Sequence, residues 1–87
     1  MILNRGSDPL KPFSLSEVAA SGSYLVENIS GPEPQRLRLN EMGIIAGARL
    51  SVIASSNQGM LVVKVGGSRL ALSRGNTENV WVRESVT

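Results

Sequence analysis

Polar and apolar residues alternate over three stretches in the second half of the chain. Leu50, Val52 and Ala54 alternate with Ser51 and Ile53; Leu61, Val63 and Val65 alternate with Val62 and Lys64; Leu70 and Leu72 flank Ala71. A period of two is the mark of a strand with one buried face. The stretches are separated by Ser56-Asn57-Gln58-Gly59 and by Gly66-Gly67. A two-residue Gly66-Gly67 turn, which supplies the positive φ angles such hairpins need, pairs Val65 with Ser68, Val63 with Leu70 and Leu61 with Leu72. In the earlier hairpin, Ser55 opposite Met60 puts Ala54 opposite Leu61 and Val52 opposite Val63. A one-residue slip would turn either strand inside out. Both registers put the large aliphatics on one face, which predicts a three-stranded meander with Lys64 directly opposite Arg69 on the outward side.

Upstream the pattern shifts towards helix. Ser14 and Glu17 form an S-x-x-E capping box, with Phe13 and Val18 at the positions of a hydrophobic staple. A short helix is expected from there to Ser21, stopped by Gly22 in a left-handed conformation. Ser23 to Ile29 reads as a strand with Tyr24 and Val26 on one face and Leu25, Glu27 and Ile29 on the other. Pro34 fits the first turn of a second helix, Gln35 to Met42, in which Leu39 and Met42 share a face with Gln35 one turn earlier. The joint from Leu39 to Ile53 is compact: the helix ends at Gly43, the chain turns at Gly47, and a strand follows at once. Arg74 to Asn79 predicts a polar connection with one helical turn capped by Asn76 or Thr77, and Val80-Trp81-Val82 a last short strand. Residues 1–12, with Gly6, Pro9 and Pro12, are expected to be a flexible lead, 13–83 the domain and 84–87 a frayed end. The sum is a mainly β fold. It has about five strands closing into a small barrel and two short α-helices, one N-terminal and one inserted between the first and second strands.

Composition narrows what such a domain can do. At 87 residues there is room for one thin core, with only ~60–65% of the unfolded surface buried. The chain has no Cys and no His, so disulfides, thiolate metal sites and imidazole bases are out of reach. No apolar run approaches the ~20 residues of a membrane span, and the start lacks a secretory signature; the expected location is cytoplasmic. A net charge of +2 and one each of Phe, Tyr and Trp fall short of the basic stripe and stacking platform of a nucleic-acid binder.

The order of these elements resembles the FeoA family, small cytosolic proteins of bacterial ferrous iron uptake. The resemblance rests on Arg38-Leu39-Asn40-Glu41-Met42-Gly43-Ile44 as the helix end and on Ala46-Gly47, where the family often has proline-glycine. It rests also on Leu50-Ser51-Val52 as the next strand, and on Val63-Lys64-Val65-Gly66-Gly67-Ser68-Arg69-Leu70-Ala71-Leu72 as the glycine hairpin and following strand. It covers roughly Ser14 to Val82. It implies an SH3-like barrel with a helical insert and a role beside FeoB, a membrane iron transporter with a cytosolic GTP-binding domain, through which the chain would be peripheral to the membrane. FeoA-like domains also occur at the C-terminus of iron-dependent repressors.

The residues themselves assign no catalytic, cofactor-binding or metal-ligating role. Iron(II) sites draw on His, Cys or carboxylates, and the seven carboxylates show no spacing that gathers two on a helix face. Gly66-Gly67-Ser68-Arg69 lacks the lysine and strand-to-helix context of a phosphate loop and reads as a hairpin turn. What remains is contact. Lys64 opposite Arg69 is a like-charged pair that an acidic partner would relieve, solvation being the simpler account. Arg36 and Arg38 reach outward from the second helix. Leu37 lies roughly 200° around the helix from Leu39, so Leu37 or Ile45 is expected at the surface as part of a docking patch. Weak self-association is a further use for such a patch. The rival readings are a small barrel that binds RNA or the ribosome and a peptide-binding domain of a metal-dependent regulator. The first would show a steep salt dependence; the second needs an aromatic groove that Tyr24 and Trp81 furnish poorly.

Overall fold

The computed structural model describes residues 11–18 and 21–85; most of the expected N-terminal lead lies outside them. Six strands form one antiparallel sheet: β1 (Phe13–Ser14), β2 (Gly22–Ile29), β3 (Arg49–Ser55), β4 (Leu61–Val65), β5 (Ser68–Leu72) and β6 (Val80–Glu84), in the spatial order β1-β6-β2-β3-β4-β5. Two helices complete it, α1 (Glu33–Glu41) between β2 and β3 and α2 (Arg74–Thr77) between β5 and β6. Among the described residues no ladder joins β1 to β5, so the sheet is not closed by hydrogen bonds, where a closed or nearly closed barrel was expected.

The β4–β5 hairpin has the register that its glycines dictate: Val65 pairs with Ser68, Lys64 with Arg69, Val63 with Leu70 and Leu61 with Leu72. Gly66 alone of the turn pair has a positive φ, +59°, the II′ form in which the first central residue carries it. The β3–β4 hairpin departs from expectation at its turn. Val52 faces Val63, but Ala54 faces Val62 and Ser55 faces Leu61, with the register shifting between Val52 and Ala54. The bulge inserts one residue at Ile53, so Ile53 and Ala54 are both exposed and Ala54 does not join the core opposite Leu61.

The N-terminal α-helix is replaced by a single 3-10 turn over Leu15–Glu17. The Ser14 hydroxyl does accept the Ser16 N–H, at 3.2 Å. The turn stops because Val18, which is extended, gives its N–H to Leu15 in an i→i+3 bond and inserts its side chain in the core with Phe13 and Leu15. Residues 19 and 20 of the expected helix are outside the described part. Gly22, expected as a left-handed stop, opens β2 and pairs with Val52. Phe13 and Ser14 themselves pair with Val82 and Trp81, adding a strand too short to show a period. At the far end β6 runs on to Glu84, opposite Tyr24, and Ser85 donates to the Ser23 carbonyl, beyond the expected fraying point. In the polar turn before β6 the N-cap position falls on Ser73, whose side chain makes no capping bond, and Asn76 and Thr77 lie inside the turn.

The inward residues of β2, β3, β4, β5 and β6, among them Val26, Leu50, Val63, Leu72, Val80 and Val82, form one cluster with Leu15, Leu39 and Ile44. Leu39 is the one buried residue of α1. The helix ends in a Schellman arrangement: Gly43 (φ +96°) donates to Asn40, and Ile44 donates to Leu39, each at 3.0 Å. That geometry brings Leu39 and Ile44, on either side of the glycine, into the same core.

Candidate functional site

The six sequence candidates fall on two surfaces. The first is built by α1 and its two flanking loops. Gly31, with φ +99°, turns the chain out of β2, and the Pro32 carbonyl accepts the N–H groups of Gln35 and Arg36. The Arg36 guanidinium reaches back to donate to the Gly31 carbonyl at 3.3 Å. One turn later Asn40 lies on the same side of the helix. With Asn28, Ile29, Ile45 and Ala46 these two residues line an open cleft of about 250 Å³. Arg36 and Ile45 thus meet in one depression. Leu37 and Arg38 are exposed on the same helix but do not line it. Leu37 and Ile45, at 51% and 48% exposure, are both at the surface, where one was expected.

The position of α1 depends on a polar network that the sequence did not reveal. Trp81 Nε1 donates to the Ser30 hydroxyl at 3.0 Å, which donates to Asn79 Oδ1 at 3.1 Å. The Gln35 amide donates to the Gly75 carbonyl at 2.8 Å and to Asn76 Oδ1 at 3.2 Å. These bonds tie the start of α1 to the α2 segment. Gln35 alone carried a signal, sharing the Leu39 face one turn earlier.

The second surface is the outward face of the sheet. Ser51, Lys64 and Arg69 lie in one cross-strand row, and Leu25 lies between Arg49 and Arg83 in another. Arg83 pairs with Glu27. Among the described residues no carboxylate pairs with Arg49, Lys64 or Arg69. Ile53, Ala54, Val62 and Ala71 add a small apolar strip beside the cations. Lys64 and Arg69 are neighbours on one face, so Lys64→Glu converts a repelling pair into an attracting one. Solvent screening keeps the gain small, roughly 0.5 kcal/mol, read as a higher denaturation midpoint with an unchanged slope.

A second hollow, of about 160 Å³, lies between the 3-10 turn, the β3–β4 hairpin and α2, with Leu15, Val18, Met60, Leu61 and Arg74 in its wall. Its one signal in the sequence is Met60, an apolar residue ending a polar turn and 38% exposed.

The buried Ser14 hydroxyl lies 3.2 Å from the Thr77 carbonyl and 2.7 Å from the Ser16 hydroxyl, which makes it a structural tie between β1 and α2. Among the described residues no three His, Cys, Asp or Glu side chains converge on a point, and no buried side-chain polar atom lacks a partner.

Three comparisons bear on what kind of domain this is. The crystal structure of an iron uptake regulatory protein (FeoA) is 34% identical, covering 85% of this chain and 99% of its own, with a TM-score of 0.78. The solution structure of the FeoA protein from Chlorobium tepidum is 27% identical, with coverage of 85% and 71% and a TM-score of 0.76. The manganese-activated repressor ScaR is 15% identical over 83% of this chain and 35% of that one, with a TM-score of 0.75, a likeness of fold alone. No curated protein matches the sequence. The family model described as FeoA domain matches residues 13–84, from the first residue of β1 to the last of β6, and on that match the chain belongs to the FeoA domain family.

Proposed function

We propose that this chain is a non-enzymatic cytosolic accessory protein of ferrous iron uptake. On this reading it docks on a FeoB-type membrane transporter, or on that transporter's GTP-binding domain, and adjusts its activity or assembly. The observation that carries the reading is the FeoA match across 13–84, joined to 34% identity with an iron uptake regulatory protein. The side-chain inventory supports it from the other direction: Leu37, Ile45, Lys64 and Arg69 are exposed and suited to contact. No helix among the described residues is long and apolar enough to cross a membrane, so the transporter is the route to the bilayer in this scheme.

The test is retention of the full chain on the purified GTP-binding domain of the transporter. Wild type is expected to be retained. Leu37→Ala with Ile45→Ala disables the helix patch, Arg36→Glu with Arg38→Glu reverses its charge, and Lys64→Glu with Arg69→Glu reverses the sheet face. At least one pair is expected to weaken retention by tenfold or more, about 1.4 kcal/mol, with unchanged thermal stability. Normal iron(II) uptake after deletion of the gene, with no retention by either the domain or the whole transporter, would defeat the reading.

A further inference from the structure

We infer that the free edge of β5 is a strand-addition site for an extended, acidic segment of a partner protein. The inference rests on the docking reading for the partner's being a protein, and adds which surface it meets and what chemistry it brings.

Three observations combine. The first is backbone geometry. Among the described residues β5 has β4 on one side and no strand on the other. In a two-residue II′ hairpin the flanking residues, here Val65 and Ser68, exchange both of their hydrogen bonds. Bonded and non-bonded pairs then alternate along an antiparallel ladder. Val63/Leu70 and Leu61/Leu72 are therefore the bonded pairs, whereas Lys64/Arg69 and Val62/Ala71 are not. The N–H and C=O groups of Arg69 and Ala71 consequently point away from β4, towards the open edge. No described residue bonds them.

The second observation is the shape of the edge. β5 runs through its five residues with no register shift and no proline, so it lacks the bulge or imino acid that usually blunts an edge. Ala71 is small and exposed, which leaves room for a neighbouring strand. The third is charge. Arg69 and Lys64 lie side by side on the outward face with no acidic partner among the described residues. A second copy of β5 would bring its own Arg69 and Lys64 to that face and repel. A carboxylate opposite Arg69 on an added strand would sit ~5 Å from it, inside the screening length of about 8 Å, whereas Lys64, one strand further at ~10 Å, adds only a screened attraction. The backbone accepts an extended segment, and the side chains select an acidic one.

The test titrates the isotope-labelled full chain with two synthetic peptides of about eight residues, a typical strand length, one alternating valine with glutamate and the other valine with lysine. The acidic peptide is expected to shift the amide resonances of Arg69 and Ala71 and slow their exchange, with affinity falling as salt rises. Ala71→Pro removes an outward N–H without touching the β4–β5 bonds. It is expected to keep the protection of Leu70 and Leu72 and to weaken binding by roughly tenfold. Should that variant misfold, Lys64→Glu with Arg69→Glu carries the test: it is expected to reverse the preference between the two peptides. The inference is overturned by no binding of the acidic peptide at about 1 mM, by equal binding of both peptides, or by shifts confined to the Asn28–Ile45 cleft. Retention of Ala71→Pro on the transporter's GTP-binding domain at wild-type strength overturns this inference and leaves the docking reading standing. Peptide binding at β5, with no retention by either that domain or the whole transporter and normal iron(II) uptake after deletion of the gene, overturns the docking reading alone.

Discussion

Replacing Leu39 by alanine is expected to cost 2–5 kcal/mol, the usual range for a fully buried leucine, and to free α1 before the sheet unfolds. Leu39 is 1% exposed and is the helix's one buried side chain. Its neighbours Arg36, Leu37, Arg38 and Asn40 are partly or wholly exposed. The direct side-chain bonds from the helix itself to the α2 segment and the residue after it are those of Gln35 with Gly75, Asn76 and Asn79, worth on the order of 1 kcal/mol each at most and partly open to water. The leucine therefore outweighs them. A domain of this size has a total stability near the low end of about 5–15 kcal/mol, so the variant sits close to its unfolding limit. Hydrogen exchange is the measurement that decides. The amides of α1 should lose protection at a lower free energy than those of β3 and β4. Equal loss throughout would mean that α1 and the sheet open as one unit; a cost below ~1 kcal/mol would mean that α1 is held by something other than this side chain.

The same contrast between helix and sheet explains what could be read from the chain. The β4–β5 register was legible because Gly66-Gly67 fixes the loop length, and a fixed loop leaves one pairing that buries Leu61, Val63, Val65 and Leu72 together. Lys64 facing Arg69 then followed by counting. The β3–β4 hairpin was read correctly at Val52/Val63 and wrongly at Ala54, because the bulge at Ile53 has no glycine or proline to announce it. Such a bulge answers to sheet curvature, a property of all six strands and not of one segment. β1 failed for a related reason: two residues have no period, and Phe13-Ser14 becomes a strand only because β6 is there to pair with it. At Ser14 the hydroxyl caps the Ser16 N–H and not the Glu17 N–H that a capping box requires, and helix propensity lost to the burial of Leu15 and Val18.

The candidate surfaces were legible residue by residue and not as assemblies. Periodicity marks Leu37 as exposed, since it is too far around the helix from Leu39. It cannot tell that Arg36 and Ile45 share a cleft, because their proximity depends on the left-handed turn at Gly43 and on the Ala46-Gly47 loop. Gly47 donates to the Val26 carbonyl, and Val26 to the Ala48 carbonyl, both at 2.8 Å, which fastens that loop to β2. The Ser30–Asn79–Trp81 network joins residues some fifty positions apart, and no local pattern encodes it.

Gly43 gives the second large expected effect, because backbone and packing make opposite forecasts there. With φ at +96°, any side chain strains the backbone, by roughly 1–2 kcal/mol for alanine. A Cβ at this position would stand 3.4 Å from Val65 Cγ1, which is close contact and not a clash. The cost is thus expected to lie in the backbone. Gly43→Ala should destabilise by about 1–2 kcal/mol, and Gly43→Asn by less, since asparagine tolerates the left-handed region better. If contact with Val65 dominated instead, the larger asparagine would be the worse of the two, and Val65→Ala would rescue Gly43→Ala. Denaturation midpoints of the four proteins separate the cases. The functional consequence follows from the same cap. The Gly43 and Ile44 N–H groups hold the helix end that sets Ile44 inward and Ile45 outward, so a variant that loosens it should disturb the Ile45 side of the cleft. The Lys64–Arg69 face on the sheet should stay intact, with amide shifts in β5 unchanged.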